Sequence, residues 1–402
     1  MLLLPLAALA ADQAANNATV IMDEVVVSAT RTEKKVDDAP SSVTVITREE
    51  MRKQNVTTID DALRHEAGLY AKRNKGIADS IASVSMRGQG GDERNLFLLN
   101  GIPVNDGYSN NVPWNHLNID DVERIEIIRG PGSALYGGHA MGGVVNIITK
   151  EPEKEFEGMA RYGVGFLENE NDVNLHTWGL MAGSRIDPLK VRVSLDAADS
   201  QGYPTDLVTK STSAGAAQAA ANSGYAMQSS TGAANWVMGD KGDNHTYREN
   251  VDAMLRYDLP EDGWLRLDVL HGHNQYWYTG AESYLFDGSM RGRASAYPGT
   301  RSSAIAPRDF IAGRGKEELI RDVLTYGDKF AGTDFTGKFG YQRKDKWYTS
   351  PCSSTQKDWR GLYVDNSFDS QPGYLVESVN ESFFVDLQDT VQIGRASCRE
   401  RV

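Results

Sequence analysis

Cysteine, basic charge and long apolar runs are all scarce in this 402-residue chain. Two cysteines, Cys352 and Cys398, are too few for a disulfide-stapled scaffold. Lys and Arg number 42 against 55 Asp and Glu, a net charge of −13. That balance argues against nucleic acid as a partner, because its recognition needs a basic footprint. No run approaches the roughly 20 apolar residues of a membrane-spanning helix. Nucleotide chemistry is missing as well. The glycine-rich stretch from Arg129 to Thr149 holds six glycines between Gly130 and Gly143. It lacks the Gly-Lys-Ser/Thr ending of a phosphate loop and the third glycine of a dinucleotide fingerprint, where Leu135 stands. The simpler reading is structural: these glycines let backbone pass close to backbone in a crowded place. There is no nucleophile elbow and no zinc motif, so no catalytic residue is assigned, the chain is not expected to be an enzyme, and no cofactor is called for. His271 and His273 share a strand face, but two ligands alone make a poor metal site.

What is present divides the chain in two. The opening residues 1–10 are short, apolar and end in Ala8-Leu9-Ala10, as a secretory signal peptide does. A polar segment follows to residue 40, broken by the β-branched run Val25-Val26-Val27. On a flexible tether such a run invites pairing with a partner strand. Residues 41–150 read as a compact α/β unit. Ser42–Thr47 alternates as a strand, and Thr47-Arg48-Glu49-Glu50 offers a capping box for a helix to about Asn55. A second helix starts at Thr58 with Asp60 and Asp61 in its first turn. Strands are expected at 83–88, 95–101, 122–130 and 144–149. From Phe156 the pattern becomes long period-2 segments: Val191, Val193, Leu195 and Ala197 stand against Arg192, Ser194 and Asp196, and Leu255 and Tyr257 against Arg256. Short turns at Asp187-Pro188, Leu259 to Gly263 and Phe330 to Thr333 alternate with long polar stretches. That is the outer-membrane barrel pattern, with aromatics such as Tyr247, Tyr257 and Trp264 suited to its girdles. About eight strands fit before the chain stops.

These residues resemble a known family. Asp23-Glu24-Val25-Val26-Val27-Ser28-Ala29 is similar to a TonB box. The series "DAPSSVTVIT", "TTIDDALRHEAGLY", "SMRGQGGDERNLFLLNGIPVND" and "VERIEIIRGPGSALYGGHAMGGVVNIIT" resembles the plug of TonB-dependent outer-membrane receptors. The resemblance implies an α/β plug domain followed by an antiparallel transmembrane β-barrel, incomplete at about eight of about 22 strands. The plug would span 41–150 and the partial barrel 151–393, with residues 394–402 breaking the alternation as a non-native tail. It implies a fragment in the outer membrane, its apolar face toward lipid. It also implies TonB-dependent import of a scarce ligand, a ferric siderophore first, with cobalamin or haem as alternatives and a phage, colicin or adhesion surface as a different class. TonB would bind Asp23 to Ala29. Ligand contacts are expected at Arg73, Tyr108, Asn110, Trp114 and His116, with Asn74, Lys75 and Asn111 nearby. Arg87 and Arg129 match family positions whose guanidinium groups meet barrel carboxylates, acids that would belong to later strands than the eight read here, and Cys352 is expected to pair with a cysteine further downstream.

Overall fold

The computed structural model describes Val25–Val26, Lys34–Lys35, and residues 42–73, 82–89, 92–107, 109–166, 173–211, 225–228, 232, 234–282, 284, 312–330, 333–351 and 373–391. The signal segment, Asp23, Glu24, Val27 to Ala29, Asn74, Lys75, Tyr108, both cysteines and the tail at 394–402 lie outside these residues. In the amino-terminal segment, β1 (Val25–Val26) pairs antiparallel with β2 (Lys34–Lys35), Val25 opposite Lys35.

The α/β unit comprises β3 (Ser42–Thr47), α1 (Arg48–Lys53), α2 (Ile59–Arg64), β4 (Leu69–Arg73), β5 (Ala82–Met86), β6 (Asn95–Leu99), β7 (Ile102–Pro103), β8 (Val122–Arg129), α3 (Ser133–Tyr136) and β9 (Gly143–Thr149). The capping box at α1 forms as the sequence predicts. The Thr47 amide donates to Glu50 Oε2 at 2.8 Å, and the Glu50 amide donates to Thr47 Oγ1 at 3.3 Å. One sheet runs β3-β8-β9-β6-β7, with β6 and β9 parallel and the other neighbours antiparallel; β4 and β5 form a separate hairpin. The core lies between sheet, helices and hairpin, built on Ile46, Leu63, Phe97, Trp114, Ile125 and Ile147. Phe97 and Trp114 meet edge to face, centroids 4.9 Å apart.

The crowding that the glycines imply is real. Gly143 opens β9 beside β8, where a Cβ would overlap the Ile128 carbonyl oxygen and press on Met86. Gly130, at the end of β8, has φ +124°, a conformation L side chains rarely adopt. Together these let the strand leave the sheet, turn through α3 and return.

Eight long strands follow: β10 (Glu157–Phe166), β11 (Val173–Ile186), β12 (Leu189–Ser200), β16 (Asp243–Asp258), β17 (Trp264–Thr279), β18 (Gly315–Phe330), β19 (Thr333–Pro351) and β20 (Gly373–Val391). Between β12 and β16, β13 (Leu207–Ser211), β14 (Tyr225–Gln228) and β15 (Ala234–Asp240) form a small sheet of their own inside a long connection. Each long strand pairs antiparallel with the next, and β10 and β20 stand at opposite edges, so the sheet is open. Most strands exceed the ~9–11 residues that cross a bilayer, so they project beyond it on the long-loop side.

The direction of burial along these strands settles their environment. On β12, Arg192, Ser194 and Asp196 are at most 3 % exposed, while Val193 and Leu195 are 44 % and 45 % exposed. On β16, Asn250 is 2 % exposed and Val251 43 %. Polar side chains face the α/β unit and apolar ones face out. A water-soluble sandwich has the opposite arrangement; a lipid-facing wall around a polar interior has this one.

Candidate functional site

The functional region is the seam between the α/β unit and the inner face of the sheet, together with the 104–118 loop above it. The seam follows a predominant electrostatic pattern, with the His116–Glu317 and Lys150–Glu157 pairs running the other way. The inner unit presents carboxylates and backbone carbonyls, and the wall answers with Arg and Lys.

At the short-turn end, Glu151 leaves β9 and meets Arg266 at 2.7 Å, Arg256 at 3.2 Å and Lys190 at 3.2 Å. Burial works to raise its pKa, but the three cations outweigh burial and hold Glu151 below the ordinary carboxylate range. Arg192 donates to the Lys150 carbonyl at 2.6 Å. Higher up, Asp120 pairs with Arg161 at 2.8 Å, and Asp121 accepts from Ser194 and lies 3.5 Å from Arg192. Burial raises the Asp121 pKa against the pull of Arg192. Arg321 donates to the carbonyls of Pro103 (2.8 Å) and Ile102 (3.2 Å), and Lys338 to that of Asn100 (2.7 Å).

The upper seam is a buried network. Asn250 donates to the Asn115 carbonyl at 2.9 Å and to Asp196 at 3.1 Å, which leaves its Oδ1 facing His116 Nδ1 at 3.0 Å. The other ring nitrogen of His116 lies 3.3 Å from Glu317. Lys344 bridges Glu317 and Asp106, 3.4 Å from each, and Asn380 donates to Asp106. Beneath the loop, Asp92 accepts from the Val84 amide at 2.8 Å and the Val112 amide at 3.3 Å. Burial raises its pKa to about 6.

Several expected roles change place. Arg73 does not reach into the ligand side: it clasps Asp60 through Nη2 and Nε (2.6 and 2.7 Å) and donates from Nη1 to Asn115 Oδ1 at 2.9 Å. That tie joins the β4 hairpin to α2 and the 114–116 turn; although burial opposes it, Arg73 keeps the Asp60 pKa low. Trp114 and His116 are buried, the first in the core and the second in the seam. Asp92 holds the polar-looking loop through the Val112 amide, and Asn250 and Glu317 hold His116 in the seam. Asn110 stays half-exposed near the tip, at φ 56°, beside exposed Gly107 and Ser109. Arg129 bonds inside its own unit, to the Ala67 carbonyl, Thr44 and Glu66. Arg87 is exposed, at φ 53° beside Gly130. Among the described residues no hydrogen bond or ion pair joins either arginine to a strand of the wall. The contacts that do join the two layers were missed, though a signal existed: a cation sits on the polar face of five of the eight long strands, at Arg161, Arg192, Arg266, Arg321 and Lys344. His271 and His273 point outward, His273 lying 3.7 Å from Glu318.

Comparison with known proteins fits this geometry. Residues 35–144 match the TonB-dependent Receptor Plug Domain. The vitamin B12 transporter BtuB of Vibrio vulnificus is 34 % identical over 143 residues, 36 % of this chain and 23 % of its own length. The ferrioxamine receptor of Yersinia enterocolitica is 39 % identical over 142 residues, 34 % of this chain and 19 % of its own. Among solved structures, the siderophore receptor PirA of Acinetobacter baumannii superposes with a TM-score of 0.53 at 18 % identity, covering 86 % of this chain and 44 % of PirA. A single-site mutant of the ferric enterobactin receptor PfeA from Pseudomonas aeruginosa gives 0.57 at 18 % identity, covering 90 % and 47 %. The chain therefore spans just under half of these solved receptors, and its match covers under a quarter of either curated relative. These relatives are transporters and receptors, not enzymes. Residues 35–144 thus belong to the plug-domain family of TonB-dependent receptors, and this plug lies against the polar face of an open β-sheet with the fold of the solved siderophore receptors.

Proposed function

We propose that the receptor to which this chain belongs imports a scarce ligand across the outer membrane with energy delivered through TonB, and that the ligand is a ferric siderophore. The observation that carries the reading is the seam. A plug held by discrete ion pairs and carbonyl contacts, rather than by an apolar interface, can be shifted by a pull and can reseat afterwards. The outer membrane offers no nucleotide energy and the chain has no nucleotide motif, so the pull comes from a partner.

The segment Asp23, Glu24, Val25, Val26, Val27, Ser28 and Ala29 is the proposed TonB-binding strand. Val25–Val26 already sits in a two-residue ladder with Lys34–Lys35. Such a ladder has a second edge on which a partner strand adds by main-chain hydrogen bonds. Ligand is proposed to meet the loop tip around Tyr108 and Asn110 and the long wall loops. Cobalamin is the second reading, favoured by the B12 transporter among the relatives.

Iron-labelled ferric enterobactin and cobalt-labelled vitamin B12, offered to cells expressing the full-length receptor, test this. Energy-dependent accumulation of the iron chelate, lost in Val26→Pro while surface binding persists, is the expected result. Accumulation that ignores a protonophore removes the transport reading, and normal uptake by Val26→Pro removes the TonB strand.

A further inference from the structure

A cavity of about 1000 Å³ opens between the plug and the wall at the short-turn end, next to Glu151. Seven Arg and Lys residues line it against four glutamates, a local cationic excess in a chain of net charge −13. Two of the glutamates are committed: Glu151 holds Arg256 and Arg266, and Glu157 holds Lys150 at 2.8 Å. Three of the cations are matched less fully: Arg48 has the Asp120 carbonyl at 3.0 Å, and Arg52 and Lys154 have no carboxylate partner among the described residues. Arg48 and Arg52 stand one helical turn apart on α1 and converge on a single Met159 sulfur, at 3.8 and 3.6 Å. A thioether is a weak acceptor and offers no charge to two guanidinium groups. Like charges at this spacing repel, and the nearest carboxylate to Arg48 is Glu123 at 4.0 Å. Among the described residues Arg52 has no carboxylate partner, and Lys154 lines the same space with its side chain exposed. Among the described residues Arg52 and Lys154, unlike the seam cations elsewhere, are given neither a carboxylate nor a carbonyl, so with Arg48 beside them this convergence asks for a counter-ion.

We propose that this vestibule is a binding site for a multiply charged anion, held by Arg48, Arg52 and Lys154 between plug and wall. Guanidinium groups bind the oxygens of phosphates, carboxylates and catecholates alike through paired N–H donors. Two sources share that chemistry: an anionic ferric chelate on its way through the seam, and a free phosphate-type anion on the periplasmic side. The site itself does not depend on the transport reading.

The test is calorimetric titration of the purified receptor in detergent with inorganic pyrophosphate at low ionic strength. Saturable binding is expected, weakening as salt is added. Arg48→Gln/Arg52→Gln is expected to weaken it about tenfold or more. Lys154→Gln, in an exposed position, should weaken it less without risk to the fold. Lys53→Gln serves as the control, because Lys53 already pairs with Glu49 at 2.8 Å; binding there should be unchanged. Displacement of pyrophosphate by ferric enterobactin assigns the site to the chelate, and failure to displace assigns it to the free anion. No binding by the unaltered protein, or equal binding by the Arg48/Arg52 and Lys154 variants, overturns the proposal.

Discussion

Replacing Glu151 with Gln removes one negative charge from a junction of three cations and tests whether ion pairs seat the plug. Breaking a fully buried ion pair costs about 3–5 kcal/mol, because the partner is left charged and unsolvated. Exposed pairs are worth about 0.2–1 kcal/mol. Glu151 lies between these limits, its side chain 27 % exposed. Two of its partners also keep a second carboxylate: Arg266 holds Asp268 at 2.7 Å and Arg256 holds Asp258 at 2.8 Å. The loss should therefore be about 2 kcal/mol, between the buried and exposed limits. It should be felt locally, where β9 passes into β10. Hydrogen exchange in detergent is the assay, read on amides of Gly143–Thr149 against those of the long strands. About 2 kcal/mol is a roughly thirtyfold faster exchange through the opened plug. The pH dependence follows with its sign. The folded-state pKa of Glu151 is depressed, so its contribution is complete above the ordinary value of 4.5 and disappears as pH falls through the lower folded value. Glu151→Gln should lack that acid-side loss. Exchange rates within twofold of the unaltered protein, with the acid limb unchanged, would refute an ion-paired seat.

Three further outcomes are expected. Gly143→Ala drives a Cβ into the Ile128 carbonyl, so the plug should lose about 3 kcal/mol, within the range for overpacking, while the strands of the wall keep their spectrum; calorimetry with two resolved transitions checks this. Asp92 holds its proton up to about 6, well above its ordinary 3.8. The folded plug thus binds that proton more tightly than the unfolded chain, and its stability should fall by about 3 kcal/mol as pH rises across that interval, then level off; the slope should be absent in Asp92→Asn, and an unchanged slope in a denaturant titration would contradict the assignment. Leu195→Arg puts a charge on the lipid side of β12 and should cost about 2–4 kcal/mol near the bilayer midplane; refolding into vesicles measures it, and a neutral result would place that face in water.

Local features were legible in the sequence, and long-range partnerships were not. The Thr47–Glu50 capping box and the alternation of β12 and β16 depend on residues a few positions apart, so they can be read directly. Alternation alone does not say which face is buried; the turn and loop pattern did, and burial on β12 agrees. The wall partners expected for Arg87 and Arg129 belong to later strands than the eight described, because an arginine's partner depends on which wall strand folds opposite it. Trp114 and His116 sit in a polar, Asn-rich stretch that reads as a wetted loop. It is held inside by Asp92, Asn250 and Glu317, distant residues with no local mark of that task. The small sheet of β13, β14 and β15 was missed for a related reason: its strands are short and separated by Ala-, Gly- and Ser-rich chain with no periodicity of its own.

The most direct measurement of the central arrangement is site-directed spin labelling along β16 in reconstituted membranes. Labels at Val251, Ala253 and Leu255 should collide freely with oxygen dissolved in lipid, while labels at Asn250, Asp252 and Met254 should be immobile and shielded from both oxygen and a water-soluble relaxant. If the two sets exchange behaviour, or all six are reached by the water-soluble agent, the sheet is not a lipid-facing wall around the plug.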